Sequence, residues 1–255
     1  MPLIAITREI SPNINDCELS FHERQPIDLA RANAQHKAYQ DCLAELGLRI
    51  VSLPPAPELP DAVFVEDTAV VVDEVAVILN MGARSRRPET RSVADALSPY
   101  RSLEFLVEPG TLDGGDVMRI DHKIFVGLSA RTNRAGIEQL RASLGKYDYD
   151  VQAVEVTGCL HLKSACSYIG DGTILLHRAW IDPEPLRGFQ LLDVPENEPA
   201  AANALRVSEA LIVSTSFPAT RALLEERGFA VRSIDVSELQ KAEAGVTCCS
   251  LIFTA

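Results

Sequence analysis

Apolar residues in this chain fall into short alternating runs separated by longer stretches with one apolar face, the patterns of strands and amphipathic helices. Residues 3–7, Leu-Ile-Ala-Ile-Thr, read as the first strand. A polar stretch over residues 11–25 leads to a helix with Asp28 as N-cap. Leu29, Ala32, Tyr39, Leu43 and Leu46 share its apolar face, and Gly47 is placed to end it. A strand over residues 48–53 follows, and then the turn Pro54-Pro-Ala-Pro57.

From residue 64 onward a unit repeats. Hairpins are predicted over residues 64–79, turning at Asp73-Glu74, and over 114–126, turning near Asp121-His122. Two more are predicted over 161–176, turning at Gly170-Asp-Gly172, and over 203–213. A polar loop and a helix follow each. The helices open at Arg86-Arg-Pro-Glu-Thr90, Arg131-Thr-Asn-Arg134 and Pro218-Ala-Thr-Arg221, with only a short one in the Pro-rich segment after Arg178. One further strand completes each unit, over 103–107, 151–156, 191–194 and 231–236.

The hairpin heads fall near residues 67, 116, 161, 203 and 248, spaced by 42 to 49 residues. The fifth copy begins at Cys248 and holds one strand, and the N-terminal strand and helix can supply its missing parts. The expected fold is therefore α/β: a single domain over residues 1–255, built as a closed ring of five strand–strand–helix–strand units. Closure removes the open sheet edges that a linear array would carry.

Rotation about such a ring brings the same place in every copy to one axis. The heads hold Asp61, Glu66 and Asp67 in the first copy, Asp113 and Asp116 in the second, His161 in the third, Asn203 in the fourth and Cys248 in the fifth. Taken singly, each has an ordinary explanation. A lone cysteine in an apolar strand packs a core, a histidine satisfies a structural hydrogen bond, and Asp-Gly-Gly-Asp is a turn signal. The repeat register gathers them, and a thiol, an imidazole and several carboxylates at one axis make a nucleophile, an acid/base and a cation-binding wall. Cys249 is expected to pack behind Cys248, because neighbouring strand residues face opposite ways. Arg86 and Arg131 share one register after the second hairpin strand and are placed to clamp a carboxylate.

Composition narrows the ligand. The formal charge of −12 argues against nucleic acid and anionic membrane as partners and suits a cationic small molecule, here a zwitterion with a cationic head such as an arginine derivative. No basic, cleavable leader opens the chain, and the most apolar window is interrupted by Glu66, Asp67, Asp73 and Glu74, so no membrane span is expected. Six scattered cysteines (17, 42, 159, 166, 248 and 249) without a C-x-x-C pair point to reduced thiols in the cytoplasm and to no structural metal.

The motifs Phe64-Val-Glu-Asp67, Leu112-Asp-Gly-Gly-Asp116, Gly127-Leu-Ser-Ala-Arg-Thr-Asn133, His161-Leu-Lys-Ser164, Ala201-Ala-Asn203 and Thr247-Cys-Cys-Ser250 resemble the dimethylarginine dimethylaminohydrolases, in order and near the family's spacing. These belong to the guanidine-modifying superfamily with the five-bladed α/β-propeller (pentein) fold. The resemblance implies Cys248 as nucleophile, His161 as acid and base, and Asp113, where some members have Glu, orienting His161. It further implies Phe64, Glu66 and Asp67 around the guanidinium, Asp61 at the α-amino end, and Arg86 and Arg131 at the α-carboxylate. Main-chain carbonyls at Ala242 or Glu243 and the lid residue Leu19 would complete the pocket, although residues 15–24 match the mammalian pattern poorly. No cofactor is implied, and the protein would act as a monomer or homodimer. An arginine deiminase shares most of these residues but is typically longer, as are the amidinotransferases. A non-catalytic binding propeller predicts no such convergence.

Overall fold

Each paired apolar run folds back on itself as a hairpin. In a computed structural model, which describes residues 2–255, the chain opens with β1 (Leu3–Arg8), α1 (Leu29–Glu45) and β2 (Arg49–Leu53). The first complete unit is β3 (Ala69–Val71), β4 (Val75–Ile78), α2 (Thr90–Leu97) and β5 (Ser102–Phe105). The second is β6 (Val117–Ile120), β7 (Lys123–Leu128), α3 (Arg134–Gly145) and β8 (Asp150–Glu155). The third is α4 (Leu162–Ala165), β9 (Cys166–Gly170), β10 (Thr173–Leu176) and β11 (Gln190–Asp193). The fourth is β12 (Leu205–Val207), β13 (Ala210–Ser214), α5 (Pro218–Glu226) and β14 (Ala230–Ile234), and α6 (Ser237–Gln240) and β15 (Leu251–Thr254) follow.

The strands form five three-stranded sheets, each with its middle strand antiparallel to one neighbour and parallel to the other. The fifth sheet is composite, as the repeat register requires. β1 lies between β15, antiparallel with Leu3 opposite Thr254, and β2, parallel with Ile4 opposite Arg49. This is a five-bladed α/β-propeller.

Local chemistry accounts for the boundaries. Asp28 caps α1 by accepting the Arg31 N–H, and Gly47, at φ +89°, reverses the chain so that the Leu48 N–H reaches the Leu43 carbonyl at 3.1 Å. Asn133 caps α3 by accepting the Gly136 N–H at 2.8 Å. In the third unit the helix after Arg178 is reduced to two 3-10 turns, Arg178–Trp180 and Glu184–Leu186, where prolines interrupt.

The hairpin heads differ from expectation. They are short helical turns rather than strand: Val65–Thr68, Gly114–Asp116, α4, Pro199–Ala202 and a turn over residues 246–249. Their polar side chains hydrogen-bond main-chain N–H groups of neighbouring heads, and a β ladder would not leave those groups free. The short helix α6 was not foreseen either.

Apolar clusters fill the space between sheets. α1 packs Ala32, Tyr39 and Leu43 against Val207, Ile212 and Val236 of the fourth unit and Cys249. Val93 and Leu97 of α2 meet Ile4, Ile6 and Phe253 of the fifth sheet. Among the described residues no helix is long and apolar enough to cross a membrane.

Candidate active site

The five heads meet at one end of the axis. His161 caps α4 in an extended conformation, and its Nε2 lies 3.2 Å from Oδ2 of Asp113. Its Nδ1 lies 4.0 Å from Oδ1 of Asp67. Gly115 sits between them. A Cβ there would come within 2.6 Å of His161 Nδ1 and 2.8 Å of Asp67 Oδ1, and the Gly115 N–H donates to that same carboxylate at 2.9 Å. Burial disfavours the imidazolium, but the charge of Asp67, the hydrogen bond to Asp113 and the charge of Asp116 overcome it and lift the His161 pKa to about 9.

Cys248 lies in the turn over residues 246–249, not in strand, so facing of alternate residues does not separate it from Cys249. Burial does. Cys249 is 3% exposed within the α1 cluster, whereas Cys248 is partly exposed and its Sγ accepts the Gly245 N–H at 3.3 Å. The Cys248 carbonyl accepts the Glu66 N–H at 3.2 Å, which ties the fifth head to the first. Burial, with Glu66 and Asp67 nearby, pushes the Cys248 thiol up to about 12.

Asp67 is buried and held below its ordinary range: burial works against its charge, but Arg86 and His161 overcome it. Arg86 departs from its expected place at the rim. It is 4% exposed, forks onto both oxygens of Glu89 at 3.0 and 2.9 Å and donates to Asp67 at 2.8 Å. With its guanidinium over the Phe64 ring at 5.9 Å, it is a strut beneath Asp67 and not an open clamp. Arg131 keeps a free donor. Its Nη1 is buried without a hydrogen-bond partner among the described residues, 3.8 Å from Asp113 Oδ2, while Nη2 reaches Ser20 Oγ at 3.3 Å.

A model described as N,N dimethylarginine dimethylhydrolase, eukaryotic, matches residues 4–252. The chain belongs to the dimethylarginine dimethylaminohydrolase family. It is 40% identical over 248 residues to the N(G),N(G)-dimethylarginine dimethylaminohydrolase of Streptomyces coelicolor, covering 97% of this chain and 95% of that one. Identity to the Pseudomonas aeruginosa counterpart is 34% over 250 residues, at 97% and 98% coverage. A solved structure of a mutant of the P. aeruginosa protein, in complex with citrulline, superposes with a TM-score of 0.94 at 32% identity, covering 99% of this chain and 100% of that one.

Several residues of this dimethylargininase-family site escaped the sequence reading. Lys163 pairs with Glu66 at 2.5 Å, and Thr247 Oγ1 donates to the other Glu66 oxygen at 2.7 Å. Asn203 does not present a free side chain. It accepts the Thr247 N–H at 3.1 Å and donates to the Lys163 carbonyl at 2.9 Å. Glu89 has no register partner in the other units, so no pattern pointed to it.

The segment over residues 18–22 is tied at both ends. The Glu18 N–H donates to both oxygens of Asp61, at 3.3 and 3.1 Å. Ser20, Phe21 and His22 donate their N–H groups to one oxygen of Glu243, at 2.9, 2.5 and 2.7 Å. Leu19 lies between the two ties and packs on the α1 cluster. Ala242 is buried, and Glu243 holds φ at +62°, in the turn after α6. Among the described residues no group of three or more His, Cys, Asp or Glu could hold a metal ion, and all six cysteines are free.

Proposed function

We propose that residues 1–255 form one catalytic domain that hydrolyses Nω-methylated arginine, asymmetric dimethylarginine or monomethylarginine, to citrulline and dimethylamine or methylamine. The observation that carries this reading is His161 held at 3.2 Å by Asp113 and facing Asp67, on the same ring of heads as Cys248. The cytoplasm is the proposed compartment, where six free thiols stay reduced.

The guanidinium lies against Asp67 and Glu66, beside the ring of Phe64. In the free protein the Cys248 thiol, at about 12, is protonated. A bound cation offsets the Glu66 and Asp67 charges that raise it, and the thiol loses its proton to solvent. The thiolate Sγ attacks the guanidinium carbon and forms a C–S bond. His161 Nδ1–H, which has no hydrogen bond among the described residues, donates to the leaving nitrogen as the C–N bond breaks.

The neutral imidazole then takes one proton from a water whose oxygen adds to the thiouronium carbon. The C–S bond breaks, the second water proton goes to sulfur, and citrulline leaves. Asp61 receives the α-ammonium beneath the lid residue Leu19, the carbonyls of Ala242 or Glu243 receive guanidinium N–H groups, and the free Nη1 of Arg131 takes the α-carboxylate. Held at several points, the carbon stays in line with the sulfur.

The test is to incubate the protein with arginine, monomethylarginine and asymmetric dimethylarginine, and to measure citrulline and the released amine. Citrulline with methylamine or dimethylamine is expected. Ammonia from arginine alone would mark a deiminase, and no turnover of any of the three would sink the assignment.

A further inference from the structure

Asp116, the second carboxylate of Asp113-Gly-Gly-Asp116, is one charge that the chemistry above does not use. It is fully buried at 0% exposure. Its Oδ1 accepts the N–H of Leu162, the residue after His161, at 2.8 Å. Its Oδ2 accepts the hydroxyls of Ser129 and Thr132, each at 2.7 Å. These two hydroxyls in turn hold the active-site loops. Ser129 Oγ accepts the Arg131 N–H at 3.0 Å, and Thr132 Oγ1 accepts the Asp113 N–H at 3.2 Å. Gly127 leaves the room this requires, since a Cβ there would come within 2.5 Å of Asp116 Oδ1.

One carboxylate therefore joins the main chain at three site positions. It pins the start of α4 behind the imidazole, and through one hydroxyl each it sets the backbone of Asp113 and of Arg131. A neutral hub of the same shape would also hold these positions. A charge does more, because it lies near enough to His161 to favour the imidazolium.

We propose that Asp116 is a positioning residue that aims His161 through the Leu162 N–H and keeps it charged for proton delivery. The proposal rests on His161 acting as the acid in the reaction proposed above. The other groups that face the imidazole are Asp113 and Asp67, with Arg131 and Lys163 as the cations beside those carboxylates. Cys159 donates its S–H to the His161 carbonyl at 3.2 Å, and Asp116 acts on it as well.

The test is Asp116→Asn, which keeps one acceptor for Leu162 and can donate to the hydroxyls while removing the charge. Its fold is checked by circular dichroism and thermal melting. The His161 imidazole is titrated by NMR, its signal assigned by its loss in His161→Gln among the five histidines. The titration midpoint should fall by about one unit, the alkaline limb of the kcat–pH profile should move down with it, and KM should change by less than about threefold.

An unmoved midpoint, or a kcat–pH profile that superposes on that of wild type, overturns the proposal. If Asp116→Asn does not fold, the same coupling is read on its other partner: the Asp116 carboxyl, followed by carbon-13 NMR, should titrate about one unit higher in His161→Gln than in wild type. No movement there overturns the proposal equally. The NMR titration needs no substrate. A wild-type protein that turns over no methylated arginine therefore refutes the substrate reading, while a fixed midpoint refutes this one.

Discussion

His161 and Asp67 face each other across a residue with no side chain: Nδ1 and Oδ1 are 4.0 Å apart, and Gly115 occupies the position where a methyl group would touch both. Gly115→Ala should therefore displace the imidazole while leaving the blades intact. A misplacement of this size is expected to lower kcat per folded molecule by about a hundredfold, with stability reduced by the roughly 1–3 kcal/mol that overpacking costs. Steady-state assays beside thermal melts check it, and near-normal kcat would mean the imidazole has room to spare.

The two adjacent thiols should separate cleanly. Cys248→Ser removes the proposed nucleophile and should abolish turnover with little change in stability. Cys249→Ser places a hydroxyl in the cluster around Tyr39 and Leu43, and should cost about 1–3 kcal/mol of stability while most turnover per folded molecule survives. Urea unfolding with turnover assays decides, and the reverse pattern would overturn the assignment of the nucleophile.

Stability should depend on pH in a defined window. His161 is raised from its ordinary 6.5 to about 9 in the folded state, so its contribution is complete below 6.5 and lost as pH rises through 9. The loss should approach roughly 3 kcal/mol at most. Asp116 is also raised, from 3.8 to about 6, by burial; its folded form prefers the neutral acid, so it weakens the fold as pH rises from 3.8 to 6 and not above. The two windows do not overlap. Urea unfolding at pH 6.5, 8 and 9.5 should show the decline in wild type and a much smaller one in His161→Gln.

Glu243→Ala removes the acceptor for three consecutive lid N–H groups. Amide exchange at residues 20–22 should quicken, and KM should rise by about tenfold or more with a smaller change in kcat. Exchange as slow as in wild type would show that the lid is held by something else.

The repeat made the ring and its closing strands legible, because period-two apolar runs recur at a nearly constant spacing and the fifth copy visibly lacks two strands. It also placed His161, Asp113, Asp67 and Cys248 together. What it hid were the polar ties at the heads. The pattern read residues 64–68 and the residues from Cys248 onward as strand, since their apolar neighbours fit, but Glu66, Thr247 and Asn203 bond across units, and such partners leave no local trace. Arg86 fitted the register of Arg131 and was expected to do the same work. Only the fold shows Glu89, three residues on, occupying its fork. The Glu243 tie joins residues over 220 apart in sequence, beyond what any periodicity reports.

The composite fifth sheet also bears on how the chain reaches its native state. β1 is the middle strand, yet its antiparallel neighbour lies roughly 250 residues downstream, and bringing such distant segments together costs roughly 3 kcal/mol more in loop closure than a ten-residue hairpin. Until β15 arrives, β1 presents one unpaired edge, which is an invitation to aggregate. The same docking event carries Cys248 to the axis, so a folding intermediate with an open ring lacks the tie between the Cys248 carbonyl and the Glu66 N–H. Placement of Cys248 and sealing of the last sticky edge are thus one step.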